Sequence, residues 1–513
     1  MFLQASKSVR NDRLFERKDT RYDAIVRFLA VILISFGILF RFHQYLTNRS
    51  LWLDEAMLAL NIVHRPMSGL VEQLSYHQGA PLGFLYIEKL FILILGNTEY
   101  ALRLFPIISG IASIFLFFYL VTNILTDLVA LLSLALFVVS DWLIYYASEV
   151  KQYSSDVAIV LLLYVISLPL FRAAGLSPKR FIYWGVIGGI SIWFSHPAVF
   201  ILLAVSIGLL IHYFSNKSRV NVKWLALGMG IWLASILIVY WFALRFLADD
   251  NILVEFWNDF FMPMPPWSKL SWFRFAGCDF LIEAVGLPGC KLGVVLLIVG
   301  AVSLLLSNMS LGFALLLPFI IALSVSAMRL YPFGNRLILF LVPLALIFIA
   351  EGVDWISRWM YSKKWVALGI WFFLAILVLF WPTKKAFSHL YEPWNLEDIK
   401  SVMAYVQSNQ IPGDQICIDG GAGPAYKYYA PVYKLTEEPC VLYMPSSNTP
   451  EANIQDIVNK TQPGRVWFLF SHKNDREDVD NEVVFLETVD HVGRTMDQYH
   501  SSGASVYLAD IKK

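Results

Sequence analysis

Apolar residues fill most of the first 380 positions in long blocks broken by short polar turns. Most blocks approach the ~20 residues a helix needs to cross a bilayer. They fall at about 28–45, 104–121, 129–146, 157–171, 181–194, 199–214, 224–243, 292–306, 311–328, 337–350 and 365–381. This pattern predicts an α-helical polytopic membrane protein with about eleven transmembrane helices in residues 28–383. A further block at 82–95 is about fourteen residues long and carries Glu88 and Lys89. If it crossed, the basic loops at Arg172/Lys179/Arg180, Lys217/Arg219/Lys223 and Arg358/Lys363/Lys364 would lie opposite the basic N-terminus. If it lies flat in the interface as an amphipathic helix, all three loops stay with Lys7, Arg10, Arg13, Arg17, Lys18, Arg21 and Arg27. The second arrangement is adopted here. It makes residues 1–27 a cytoplasmic basic segment and puts outward loops at about 46–103 and 248–291.

Beyond Trp381 the pattern changes to mixed polar sequence with alternating helix and strand signals. Residues 396–407 are amphipathic, Pro412-Gly413-Asp414 is a turn, and 415–418, 465–470 and 506–509 read as strands. Residues 384–513 are therefore expected to form a small extracytoplasmic α/β domain. Gly420-Gly-Ala-Gly-Pro424 lies between a strand and a helix-like stretch at 425–429, where backbone amides could hold an anion. It lacks the GxGxxG and P-loop patterns, so a plain strand–helix turn is the simpler expectation.

Composition agrees with the membrane reading: 58% of the 513 residues are hydrophobic and 15% charged. A formal net charge of +1 favours neither nucleic acid nor an acidic partner. All four cysteines fall on the outward side, which suits an oxidising compartment. The sequence-local pairs Cys278–Cys290 and Cys417–Cys440 are the expected disulfides, although spacing alone does not fix connectivity. No Cys/His spacing suggests zinc. The aromatic, proline-rich loop at 248–291 reads as an interfacial belt or as a lid over a lipid substrate.

On this topology several charged stretches return to the outer face. Asp54 and Glu55 follow the first span; Tyr76-His77-Gln78-Gly79-Ala80-Pro81 leads to Glu88, Lys89 and Arg103. Tyr145-Tyr146-Ala-Ser148-Glu149-Val-Lys151-Gln-Tyr153 joins two spans, and Arg329-Leu-Tyr331-Pro332-Phe-Gly-Asn335-Arg336 joins two more. His196-Pro197 is a weaker fifth point. Each has a plainer explanation: Lys89 and Arg103 as snorkelling anchors, the tyrosines as belt, the arginines as flanks of a proline turn. Glu149 and Lys151 fit those explanations least, because ionisable groups beside hydrocarbon are costly. A lipid phosphate sugar keeps its tail in the bilayer and its phosphate at headgroup level. Displacing that phosphate needs a base for the incoming hydroxyl and cations on the leaving group, and these stretches contain both.

At these residues the chain resembles the GT-C superfamily of lipid-sugar-dependent glycosyltransferases. It is most similar to bacterial homologues of protein O-mannosyltransferases (glycosyltransferase family 39) and of the aminoarabinose transferase acting on lipid A. Trp52-Leu-Asp-Glu55, Gly79-Ala-Pro-Leu82 with Lys89, Leu102-Arg103-Leu-Phe-Pro106, Ser148-Glu149-Val-Lys151-Gln-Tyr153 and Tyr331-Pro-Phe-Gly-Asn-Arg336 carry the resemblance. It implies Asp54 as base or acceptor-positioning acid with Glu55 in support, and Glu149 as a second acidic site. It also implies Lys89, Lys151, Arg336 and Arg103 toward the donor phosphate, with His77, Tyr153 and Tyr331 toward substrate. Ala80-Pro81 stands where the mannosyltransferases carry His-Pro-Pro, so that histidine's role is absent or has moved to His77. The lack of a clear Asp-x-Asp sets the chain apart from the metal-dependent oligosaccharyltransferases, so no metal or other cofactor is expected.

The expected activity is inverting transfer of a monosaccharide from a polyprenyl-phosphate donor at the outer face of the plasma membrane. The acceptor would be a lipid, a glycan or a protein. A transporter or flippase of lipid-linked glycans is the alternative of a different class, and a non-catalytic membrane scaffold is a third. A transporter should carry ionisable residues near the midplane on repeat-related broken helices. Here the acids gather toward one face and no repeat is visible, which favours the enzyme.

Overall fold

A computed structural model describes residues 20–172, 177–215, 219–248, 250–360, 364–442, 450–472 and 481–512. Most of the basic N-terminal segment, with Lys217 and Lys363, lies outside the described residues. Close contacts divide the chain into two compact units. One comprises residues 1–46, 66–96 and 103–393, and the other residues 47–65, 97–102 and 394–513.

The first unit is helical, and each apolar block expected to cross falls on a helix. Among the described residues nine helices are long and apolar enough to span, from Ala24–Leu46 to Lys364–Ser388. The block at 129–146 is two helices, Asp127–Val139 and Asp141–Tyr145, with a 60° bend between them. Counting the bent pair gives up to ten crossings. The block at 181–194 forms the 15-residue helix Pro178–Ile192, which is shorter than any of the nine. The bend has a polar consequence that the hydropathy pattern hides. It brings buried Asp141 to Lys385 at 3.1 Å and His389 at 2.9 Å, at the end of the last span.

Helices in this unit pack through small residues. A Cβ on Gly300 of the Cys290–Ser307 helix would lie 1.8 Å from the Phe348 carbonyl oxygen, and one on Gly352 would lie 2.1 Å from that of Leu296. The two backbones therefore touch directly, the packing that small residues allow where lipid removes most of the hydrophobic drive. Ser303 adds a 2.7 Å hydrogen bond to Glu351 at the same contact. The aromatic loop at 248–291 is fastened to the turn before the Val342–Met360 helix. Phe333 N donates to Phe260 O at 2.9 Å, and Arg329 donates to Asn258 at 2.7 Å. Its Trp257, Phe261 and Trp272 are buried, whereas Phe256, Met264 and Trp267 are exposed.

The second unit is an α/β domain on a five-stranded sheet of order β2-β1-β3-β5-β4. The strands are β1 (Gln415–Asp419), β2 (Cys440–Leu442), β3 (Gly464–Ser471), β4 (Gly493–Ser501) and β5 (Ala504–Ile511). β1 runs parallel to β2 and β3, while β5 is antiparallel to β3 and β4. The three strands read from sequence are β1, β3 and β5. β2 is only three residues long, and β4 alternates half-buried and exposed positions without an apolar run. One core gathers Phe468, Phe470, Tyr507 and Ala509 of the sheet with Phe485 and Val489 of the Asn481–Val492 helix. Cys417 and Cys440 face each other across β1 and β2 and are joined, as are Cys278 and Cys290 in the first unit. Both expected disulfides are therefore present.

Part of the segment 46–103 belongs to this second unit. Leu51 N donates to Tyr429 OH at 2.9 Å, and Ser50 Oγ to Asp398 at 3.1 Å. Glu99 accepts from Lys400 and Tyr429, each at 3.0 Å. These partners lie more than 300 residues apart in the chain. Hydropathy, being local, groups residues 46–103 with the spans around them.

Candidate functional site

In the second unit, Asp54 and Glu55 occupy the first turn of the helix Leu53–His64, where negative charge is favoured by the exposed N–H groups. Trp52 at its N-cap offers no side-chain acceptor. Glu397 supplies one instead, taking the Leu53 N–H at 3.1 Å. Glu55 is fully buried, and its carboxylate lies 3.6 Å from Arg49, so it holds this turn in place. Asp54 is only partly buried.

His472 stands at the end of β3. Its Nδ1 meets Glu397 at 2.7 Å, and its ring stacks on Trp52 with centroids 6.3 Å apart. The hydrogen bond to Glu397 holds the imidazole above its ordinary pKa against partial burial, and the charges of Asp54 and Asp419 act the same way. At Gly420–Ala422 the Asp419 carboxylate takes the Gly421 N–H at 3.0 Å, as a strand–helix turn requires.

The remaining sequence candidates lie in the first unit. Glu149, Lys151 and Tyr153 are all buried around the turn after the bent pair of helices. Lys151 Nζ donates to Gln78, and Gln152 Nε2 to the Gly79 carbonyl at 3.4 Å. Arg336 Nε donates to Tyr153 OH at 2.9 Å while its guanidinium lies over Trp257, 5.6 Å from the ring centroid. Tyr331 bonds Leu337 O at 2.7 Å and packs edge-on against Phe200. Three of the four expected stretches in this unit, at 77–79, 148–153 and 331–336, thus meet through side chains.

His77 is exposed and pairs with Asp250, Nδ1 to Oδ2 at 2.8 Å, instead of facing Lys151. Burial pushes Asp250 up, but His77 and the amides of Leu253 and Ile252 outweigh it and hold the carboxylate below its usual range. Gln78, Gly79 and Asp250 line a cleft with Leu74, Phe246 and Leu247. Lys89 and Arg103 are buried, and Glu88 is fully buried with neither oxygen hydrogen-bonded among the described residues.

Backbone strain marks both sets of residues. Tyr76, His77, Asn335 and His472 have φ between 51° and 63°, a region L-residues seldom occupy and one that concentrates at functional positions.

Residues 79–241 match the sequence model of the dolichyl-phosphate-mannose-protein mannosyltransferase family. The structure of the archaeal oligosaccharyltransferase AglB from Archaeoglobus fulgidus, solved with an inhibitory peptide and a dolichol-phosphate, superposes with a TM-score of 0.53 at 9% identity. That match covers 94% of this chain and 74% of the archaeal one. The chain has the GT-C fold. An Archaeoglobus fulgidus oligosaccharyltransferase in the apo form matches at a TM-score of 0.50 and 10% identity, over 93% of this chain and 74% of that one. ArnT from Cupriavidus metallidurans bound to undecaprenyl phosphate gives 0.49 at 10% identity, over 93% and 97%. No curated protein sequence matches. The chain is a multi-pass membrane protein, as the fold and its long apolar helices together indicate.

Within the GT-C fold, Gln78, Asp250, Trp257, Glu397 and His472 were not singled out as site residues from sequence. Strained backbone at 76–77 and 472 is the structural mark that picks out their surroundings.

Proposed function

We propose that this protein is a membrane glycosyltransferase that takes a monosaccharide from a polyprenyl-phosphate donor and places it on a hydroxyl of a lipid, glycan or protein. Lys151 carries this proposal. It is a buried lysine donating to Gln78, in the stretch whose sequence matches a family named for a dolichyl-phosphate sugar donor. A buried ammonium in a membrane protein can receive an anion, and a lipid phosphate is an anion that the membrane surface supplies. The dolichol-phosphate in the archaeal structure of the same fold supports the same donor class.

In the proposed step the acceptor hydroxyl gives its proton to the Asp54 carboxylate. Its oxygen bonds the anomeric carbon as the bond from that carbon to phosphate oxygen breaks. Polyprenyl phosphate leaves, and the anomeric configuration inverts. Lys151 and Arg336, with Lys89 and Arg103, are proposed to stabilise the departing phosphate, while Glu149 and Tyr153 fix Lys151 and Arg336 in place. Glu55 supports the Asp54 turn, and Tyr331 and His77 border the substrate. No cofactor and no obligatory divalent ion take part. The site faces the outside of the plasma membrane, with the N-terminus in the cytoplasm.

Lys151→Ala and Arg336→Ala are each expected to weaken donor binding by about 10- to 100-fold, the loss of one charge-assisted hydrogen bond. Titration of the purified protein with a fluorescent polyprenyl-phosphate sugar measures this. Wild-type affinity in both variants would remove the phosphate from this part of the protein.

A further inference from the structure

The second unit holds a polar device that glycosyl transfer has not yet used. The buried Glu397 carboxylate divides its two oxygens. Oε1 receives His472 Nδ1 at 2.7 Å. Oε2 receives the Leu53 N–H and the Ser471 hydroxyl, each at 3.1 Å. One side chain therefore joins the end of β3 to the amide that opens the helix Leu53–His64, one residue before Asp54. Trp52 closes the arrangement from the other side by stacking on the His472 ring at an interplanar angle of 27°. His472 adopts φ 62°, a cost the surrounding contacts must offset. In a mainly parallel part of a sheet, this is the strand end at which α/β domains place working groups.

We propose that Glu397 and His472 are positioning residues for Asp54: they clamp the first turn of its helix and stand an imidazole beside its carboxylate. This rests on Asp54 being the base. The groups that act on the His472 ring are Glu397 from the segment before the Ile399–Asn409 helix, Asp54 from its own first turn, and Asp419 from the end of β1. All three are carboxylates, so the cationic ring is the favoured form. The clamp is complete while the ring is cationic and the Glu397 carboxylate ionised, and it loosens as pH rises through the elevated histidine value. A cationic ring next to Asp54 lets that acid ionise, and so act as a base, at lower pH than it otherwise would. The coupling is mutual: what His472 does to Asp54, Asp54 does to His472.

Two measurements on the full chain in nanodiscs test this. In the first, histidine ring carbons are labelled and the His472 resonance, assigned by its loss in His472→Gln, is titrated by NMR. It is expected above the ordinary value of about 6.5, and to fall in both Asp54→Asn and Glu397→Gln. In the second, the pH dependence of kcat/KM is recorded. His472→Gln is expected to move the acid limb upward by about 0.5 pH unit or more, and His472→Arg, which keeps the charge, to return it toward the wild-type position. An unmoved His472 titration in Asp54→Asn together with an unmoved acid limb in His472→Gln overturns the positioning role, even where Asp54→Asn has abolished transfer. Normal turnover by Asp54→Asn instead removes the base beneath it, whatever His472 does. Should Asp54→Asn fail to accumulate, the His472→Gln and His472→Arg profiles decide alone.

Discussion

Asp54→Asn is expected to lower transfer from a polyprenyl-phosphate sugar by about 10²- to 10⁴-fold, the usual contribution of a positioned general base. The substitution keeps the shape of the side chain and removes only its basicity. Asp54 is partly exposed in the first turn of its helix, where a lost charge costs about 0.3–1 kcal/mol of helix-dipole stabilisation. Expression and thermal unfolding should therefore stay close to wild type while release of polyprenyl phosphate collapses. Glu55→Gln should behave differently. Glu55 is fully buried beside Arg49, so its loss removes a carboxylate facing a buried cation and should appear first as lower stability. Turnover by Asp54→Asn at the wild-type rate would exclude this carboxylate from the chemistry.

Gly300→Ala is expected to destabilise the helical unit by about 3 kcal/mol or more, at or beyond the upper end of what overpacking normally costs. The new methyl would fall 1.8 Å from a carbonyl oxygen, with the amide of Gly352 at 2.8 Å, and neither is the end of a flexible side chain that could swing away. The two helices would have to separate along their length, breaking the Ser303–Glu351 hydrogen bond as they did so. Gly230→Ala is the control: its Cβ would meet nothing within 4 Å, and alanine favours the helix. Thermal unfolding in detergent should show a large drop for the first and none for the second. Equal stability of the two would mean that these backbones are not in contact.

The spans were legible because hydrophobic length is a local property. Even so, the block at 129–146 concealed a 60° bend, since nothing in apolar composition around Ser140 announces a break. Both disulfides join the sequence-local cysteines expected to pair, at separations of 12 and 23 residues. The chemistry-bearing stretches were visible as ionisable residues where hydrocarbon made them expensive. Their partners were not. Gln78 lies 73 residues from Lys151, and Glu397 lies 344 residues from Leu53, and no periodicity links such positions. His77 shows the opposite case. The resemblance leaves it as one place to which a missing histidine's role could move, and its ring is engaged with Asp250. β2 and β4 escaped notice because one is too short and the other too polar to read as a strand.

Glycosyl transfer at an outer lipid–water boundary requires the acid-bearing and the cation-bearing loops to open on the same side of the membrane. Cysteine labelling in intact cells tests this directly, because all four native cysteines are paired and silent toward maleimide. The reporters are His64→Cys, at the end of the Asp54 helix, Leu330→Cys, beside the Arg336 turn, and Thr126→Cys, in the turn before the bent pair. All three positions are exposed. An impermeant maleimide is expected to label positions 64 and 330 in intact cells and position 126 only after permeabilisation. Labelling of 64 and 330 from opposite sides would contradict the proposed enzyme at its foundation.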